Sequence, residues 1–184
     1  SLRLSDQIMM KDRDDIAIDF DAISKGYTVD LLADKLVEAG YTNLFIEWGG
    51  EIKAMGKPNK SRPWLVSVRN PSSSSFKDEV ARVTLCNEAI ATSGDYLQQW
   101  EGEEKIYTHI IDGRSNYPKE VTDESIASVA VKAKSCAVAD GLATTAMLFD
   151  TPEEVVKWGE EIKEIFPEVT IWIIHRVGSD TTRV

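Results

Sequence analysis

The spacing of apolar positions changes period several times along the chain, and each change marks an element. Ile16, Ile18 and Phe20 alternate with Ala17, Asp19 and Asp21, which predicts a short strand ending in acid. From Val29 the period lengthens. Val29, Leu32, Ala33, Leu36 and Val37 share one face of a helix predicted over 24–39, with Gly40 just past its C-terminus. Strands follow at 44–48 and 52–55, separated by Gly49-Gly50 and ended by Gly56. Trp64 to Arg69 alternates as a strand. Val80 to Cys86 and Ala89 to Thr92 read as strands joined by a tight Asn87-Glu88 turn. Further strands are predicted at 106–112, 126–133 and 169–174. Ser135 opens a second helix running to about Leu148. Thr151-Pro152-Glu153-Glu154 opens a third, with Thr at the N-cap, Pro at the first helical position and Glu two further on, and Pro167 stops it. Loops are predicted at 57–63 (basic), 71–75 (serine-rich), 101–105 (acidic) and 113–118. Strands in hairpin-like succession with about three helices indicate an α+β class with a largely antiparallel sheet. No internal repeat or long linker divides the chain, so a single domain over 1–184 is expected.

Composition narrows what such a domain can do. The chain is 42% hydrophobic and 28% charged, enough apolar content for one packed core. No apolar run reaches the roughly 18–20 residues of a membrane-spanning helix. With 21 Lys and Arg against 31 Asp and Glu, the net charge is −10. Non-specific nucleic-acid binding needs a cationic face, so nucleic acid is not an expected partner. An acidic chain that holds a phosphate-bearing ligand is expected to use a metal ion and backbone amides. Cys86 and Cys136 show no metal-binding spacing and read as small buried hydrophobes. His109 and His175 are the only histidines, which excludes a multi-histidine metal site within this chain. The start, SLRLSDQIMMKDRDD, is too polar for a secretory signal and lacks Met, as expected of a piece of something longer; the compartment stays open.

Polar, glycine-bearing segments directly after predicted strands are the places where binding groups collect. Four stand out: 19–26, 49–51, 93–96 and 109–116. A fifth candidate lies on the second helix, where Asp140 and Thr144 are four apart and share a face. A carboxylate and a hydroxyl so placed can address one hard cation. The plainer alternative is that Thr144 bonds back to the carbonyl four residues earlier and Asp140 is solvated. Lys25, at the first helix, is either a phosphate contact assisted by nearby amides or a surface lysine. Gly49-Gly50 either admits a ligand close to the backbone or simply makes a hairpin turn. His109 shares a strand face with Tyr107 and Ile111, close to Asp112 and Arg114. It is either a structural hydrogen-bonder or a ligand contact. Ser93-Gly94-Asp95 is either a helix N-cap or part of a site.

In their order and spacing these segments resemble the FAD:protein FMN transferase (ApbE) family. Asp19-Phe20-Asp21-Ala22-Ile23-Ser24-Lys25-Gly26-Tyr27 is similar to the family's Asp-Leu-Gly-Gly-Ile-Ala-Lys-Gly-Tyr. Gly49-Gly50-Glu51-Ile52 stands for Gly-Gly-Asp-Ile, and Ala91 to Tyr96 matches Ala-Thr-Ser-Gly-Asp-Tyr without change. His109 to Pro118 resembles His-Ile-Ile-Asp-Pro-Arg-Thr-Gly-Tyr-Pro, and Ala139 to Thr145 resembles Ala-Asp-Ala-Leu-Ala-Thr-Ala. The resemblance spans about 16–150 and implies an ApbE-like (T-fold-like) fold whose longer N-terminal portion has no counterpart here.

The resemblance also implies a reaction. FAD binds near Mg²⁺, a threonine hydroxyl of an acceptor flavoprotein attacks the phosphorus on the FMN side, and AMP leaves. By position Asp140, Thr144 and the carbonyl of Ala22 resemble metal ligands. Asp21, Lys25, Gly49, Gly50, Glu51, Ser93, Gly94, His109 and Asp112 resemble flavin-nucleotide contacts. His109 or Asp140 would assist deprotonation of the attacking hydroxyl, with Asp140 and Thr144 counted as catalytic through the metal. Two departures bear on the site. Asp21-Ala22 replaces Gly-Gly, and Gly141 replaces an alanine at a cost of ~1 kcal/mol in a helix interior. The family's acceptor pattern, Asp-X-X-Ser/Thr-Gly-Ala/Ser-Thr, is absent from this chain, so the acceptor is expected elsewhere. Two alternatives use the same residues: a non-catalytic FAD-binding module of a larger, reductase-fused protein, and a metal-dependent FAD pyrophosphatase.

Overall fold

The hydrophobic periods resolve into a six-stranded antiparallel sheet with helices on one face and a two-stranded ribbon on the other. The computed structural model describes residues 2–59, 62–71, 73, 75, 78–96, 98–102, 104–176 and 181–184. In chain order the elements are β1 (Leu2–Ser5), β2 (Ile8–Lys11), α1 (Asp21–Glu38), β3 (Leu44–Trp48), β4 (Glu51–Met55), β5 (Trp64–Arg69), β6 (Glu79–Leu85) and β7 (Glu88–Gly94). They continue with β8 (Gln99–Gly102), β9 (Lys105–Asp112), β10 (Tyr117–Val121), β11 (Ile126–Ala133), α2 (Cys136–Ala146), α3 (Pro152–Ile165), β12 (Thr170–His175) and β13 (Thr181–Arg183). The main sheet has the order β13-β12-β11-β7-β4-β3. β10-β9-β8 form a three-stranded sheet, β5-β6 a ribbon and β1-β2 a hairpin. Every described pairing is antiparallel, so the α+β expectation holds. No helix among the described residues is long and apolar enough to cross a membrane.

Central strand β11 is buried on both faces, which explains its nearly continuous apolar run. Val129 and Val131, with Ile171 and Ile173 of β12, face Ala139, Ala143 and Ala146 of α2 and Val155 of α3. Ala130, with Trp172 and Ile174, faces Val68, Val83 and Leu85 of the ribbon. Both predicted helix starts after β11 are present. The Ser135 hydroxyl accepts from the Val138 amide at 3.3 Å, and Thr151 and Glu154 form a reciprocal capping box.

Several expectations change. The predicted strand at 16–20 forms no strand and pairs with none among the described residues, with Ile18 and Phe20 exposed. The first helix begins at Asp21 rather than 24, because the Asp19 carboxylate accepts the Asp21 amide at 2.8 Å and satisfies a first-turn donor. Asn87, at φ +57°, does not close a hairpin: β6 pairs with β5, whereas β7 joins the main sheet between β4 and β11. Ser93-Gly94-Asp95 caps no helix. Ser93 and Gly94 end β7, level with Val129 and Ser128 of β11. β1, β2, β8, β10 and β13 are short elements that the periodicity does not reveal, and Glu101 belongs to β8 rather than to a turn. Lys60, Ser61, Ser72, Ser74 and Glu103, in three of the predicted loops, lie outside the described residues. Cys136 is buried as expected, but Cys86 is exposed.

α1 carries two apolar faces. Gly26, Val29 and Ala33 are buried. Phe20 at the N-cap and Ile23, Tyr27 and Leu31 at helical spacing form an exposed stripe, and Leu32 and Val37, predicted to face the core, are also exposed. A Cβ on Gly141 would lie 3.0 Å from the Ile23 Cγ2, so the glycine of α2 makes room for a side chain of α1.

Candidate active site

The candidate residues converge at one end of the main sheet because four separate segments end or cross there. The β3–β4 hairpin turns through Gly49 and Gly50, both at positive φ, and delivers Glu51 as the first residue of β4. β7 runs antiparallel beside β4, which brings the Thr92 carbonyl to 3.6 Å from a Cβ built on Gly50 and sets Ser93 next to that turn. α1 and α2 cross above this edge, and Gly26 is the crossing point. A Cβ there would lie 2.5 Å from the Cys136 carbonyl oxygen and 2.8 Å from the Asp140 Cβ. Only glycine permits this approach.

Three hydrogen bonds tie the segments together. The Gly26 amide donates to Asp140 Oδ2 at 2.9 Å. Lys25 Nζ pairs with Glu51 Oε1 at 2.6 Å. Ser93 Oγ and Thr144 Oγ1 lie 3.0 Å apart. The bond back to the preceding turn is made not by Thr144 but by Thr145, whose hydroxyl donates to the Gly141 carbonyl at 2.7 Å. Thr144 is thus turned to Ser93. In a regular helix the Gly26 amide addresses the Ala22 carbonyl. Asp140 draws on that same donor.

The electrostatics of this corner are unbalanced. Glu51 is 1% exposed and Asp140 2% exposed. Burial pushes the Asp140 carboxyl above its ordinary range, opposed by the Gly26 amide and Lys25. Burial also pushes Glu51 up. Its hydrogen bond and attraction to Lys25 oppose the shift, while the Asp140 charge adds to it. Lys25, 43% exposed, is the cation that serves both. Glu51 Oε2 has no hydrogen-bond partner among the described residues. Buried carboxylates in this condition favour proton uptake or a cation. No group of three or more His, Cys, Asp or Glu is placed to hold a metal ion among the described residues, so a cation here would draw on carbonyl, hydroxyl, water or phosphate oxygens as well.

Not all the expected residues join this corner. Ala22 is partly buried on the first turn of α1, whereas the Asp21 side chain is exposed. His109 lies on the exposed face of β9, opposite buried Thr108 and Ile110. Asp112, at the end of β9, is engaged by Arg114. The guanidinium and then the amide of Arg114 hold its carboxyl down to about 2. Arg114 in turn reaches the Leu148 carbonyl at 3.3 Å.

Sequence reasoning passed over residues whose role depends on tertiary contact. Gly26 was visible only as a motif letter, although a glycine inside a helical period is itself a sign of close approach. Asp30 of α1 gave no signal. Its Oδ2 accepts from the Ser135 hydroxyl at 2.7 Å and the Ala137 amide at 3.0 Å, and its Oδ1 pairs with Lys53 at 3.0 Å. Asp95 and Arg176 pair across 81 positions of sequence and could not be matched by spacing.

Comparison with known proteins bears on this geometry. The model of the ApbE family matches residues 1–166. An FAD:protein FMN transferase of Chlamydia pneumoniae is 39% identical over 154 residues, 83% of this chain and 46% of that protein. The solved flavinyl transferase ApbE of Pseudomonas stutzeri, in its apo form, superposes with a TM-score of 0.77 at 28% identity, covering 100% of this chain and 53% of that one. Flavin transferase ApbE of Vibrio cholerae gives 0.74 at 29% identity, covering 100% and 55%. The chain therefore spans about half the length of the relatives it matches. A family model covering most of the chain, over a fold shared with solved ApbE structures, establishes that the chain belongs to the ApbE family.

Proposed function

We propose that this chain carries the nucleotide-handling site of an FAD:protein FMN transferase. FAD binds as substrate, FMN passes to a threonine hydroxyl of an acceptor flavoprotein, and AMP is released. The observation that carries the reading is the corner itself. Two buried carboxylates, Asp140 and Glu51, share one partly exposed Lys25 beside the Ser93–Thr144 hydroxyl pair.

The residues present fit Mg²⁺. Their donors are all oxygens, and a divalent cation would relieve the charge that burial penalises. The Ala22 carbonyl, Asp140 and Thr144 would hold the ion. When bound, Mg²⁺ would neutralise charge on the phosphates. The chain's own residues do the rest. Lys25, Ser93-Gly94 and Gly49-Gly50-Glu51 bind and orient the nucleotide, with Asp21 and Asp112 at its margins. The acceptor hydroxyl attacks the FMN-side phosphorus, the bond from that phosphorus to the bridging oxygen breaks, and AMP departs with that oxygen. His109, outside the corner on the exposed face of β9, takes the proton of an acceptor hydroxyl that approaches from that side, while Asp140 is engaged by Gly26.

The test combines the chain, FAD, Mg²⁺ and an acceptor domain bearing Asp-X-X-Thr-Gly-Ala-Thr, followed by mass spectrometry. An FMN mass increment on the acceptor with equimolar AMP is expected. Free FMN with AMP would replace this reading with hydrolysis, and bound but intact FAD would replace it with a binding module.

A further inference from the structure

The end of β7, which supplies Ser93 and Gly94, is pinned at three points. The Ser128 hydroxyl donates to the Ser93 carbonyl at 2.9 Å. The Asp95 amide donates to the Ala127 carbonyl at 3.2 Å. The third point is the Asp95 carboxylate, 1% exposed, which accepts from the Arg176 guanidinium. Arg176 also donates through Nε to the Ser125 hydroxyl at 3.0 Å and through Nη2 to the Ile126 carbonyl at 3.2 Å. One planar side chain thus locks the end of β7 to the start of β11 from the end of β12. Gly94, between the pins, has no slack. A Cβ there would lie 2.9 Å from the Tyr96 ring and 3.0 Å from the Ser128 hydroxyl. Beyond the pins, Ser93 Oγ meets Thr144 Oγ1 at 3.0 Å.

We propose that Arg176, acting through Asp95, is a positioning residue for the nucleotide site, fixing the Ser93–Gly94 strand end against Thr144. The proposal rests on the transferase reading for what the strand end binds. Arg176 lies beyond the residues that the family model matches, 1–166, so this strut comes from outside the segment that carries the family pattern. Asp95 Oδ1 has no hydrogen-bond partner among the described residues, so the arginine carries most of the compensation for a buried charge.

Two variants test this and guard against misfolding. Arg176→Lys keeps the charge but loses the fork, and Asp95→Asn/Arg176→Gln removes both charges together. Amide hydrogen exchange is read in the chain without ligand, and Mg²⁺-dependent FAD binding is read by titration. Exchange is expected to rise at Ser93 and Gly94 while β4 and the centre of β11 stay protected. The Kd for FAD with Mg²⁺ is expected to rise roughly ten- to a hundredfold in both variants, the scale of a charged hydrogen bond. Wild-type exchange and affinity in both variants would overturn the proposal. So would exchange rising equally throughout the sheet, which would make Arg176 a general stabiliser. Failure of the unaltered chain to bind FAD would instead overturn the transferase reading, and the exchange pattern would still decide whether the strut holds Ser93 and Gly94.

Discussion

The two ends of the α1–α2 contact are built alike and balanced oppositely. At one end Asp30 of α1 accepts from the start of α2; at the other Asp140 of α2 accepts from the Gly26 amide of α1. Burial raises the Asp30 carboxyl, but the amides of Cys136 and Ala137, the Ser135 hydroxyl and Lys53 outweigh it, and its pKa is lowered. Asp140 has only one amide and Lys25 against its burial, and its pKa is raised. The same residue type in the same contact thus has its charge answered at one end and left under-answered at the other. Cys136 sits between the two ends. Burial and then the charges of Asp30, Glu51 and Asp140 push its thiol up to about 12, so it is an inert packing residue.

The most disruptive way to break the comparison is to separate the helices. Gly26→Ala would force its Cβ against the Cys136 carbonyl. It is expected to cost about 3 kcal/mol or more, by denaturant unfolding, and to abolish Mg²⁺-dependent FAD binding. Asp140→Ala is expected to raise the Kd for FAD with Mg²⁺ by roughly a hundredfold or more, measured by titration, in a protein that stays folded. Asp30→Asn sharpens the contrast: at neutral pH it is expected to lose about 1–3 kcal/mol of stability with FAD affinity retained.

The pH dependence should split the two ends as well. Folding lowers the Asp30 pKa, so its contribution is present above the unfolded-state value, about 4, and is lost as pH falls through the folded value. Folding raises Asp140 and Glu51, so their protonated forms favour the fold and ionisation costs stability as pH rises through their folded values. Thermal melts from neutral to acid pH should therefore fall less steeply for Asp30→Asn than for the unaltered chain. The smallest effect is expected at Gly141→Ala. Helix propensity favours alanine by ~1 kcal/mol, and crowding of Ile23 opposes it, so the melting temperature should move little.

The sequence made the fold class and most of the long elements legible because their periods are set by burial on one face. The capping box at Thr151 and the turn at Gly49-Gly50 are local chemistry, which the sequence displays directly. The strand predicted at 16–20 does not form, since alternation persists there without a partner strand to bury it. At the site, the spacing of Asp140 and Thr144 puts both on one face of α2, but does not reveal that Thr145 rather than Thr144 makes the backbone bond. The sequence leaves Lys25 either a surface lysine or a ligand contact; its pairing with Glu51 depends on the β3–β4 hairpin folding back onto α1, which no local pattern encodes.

Asp140 is a charge that the fold tolerates rather than uses. Thermal melting of Asp140→Asn at neutral pH, with Mg²⁺-dependent FAD titration on the same sample, tests this most directly. The account predicts a higher melting temperature and loss of metal-dependent binding. A lower melting temperature with undiminished binding would contradict it.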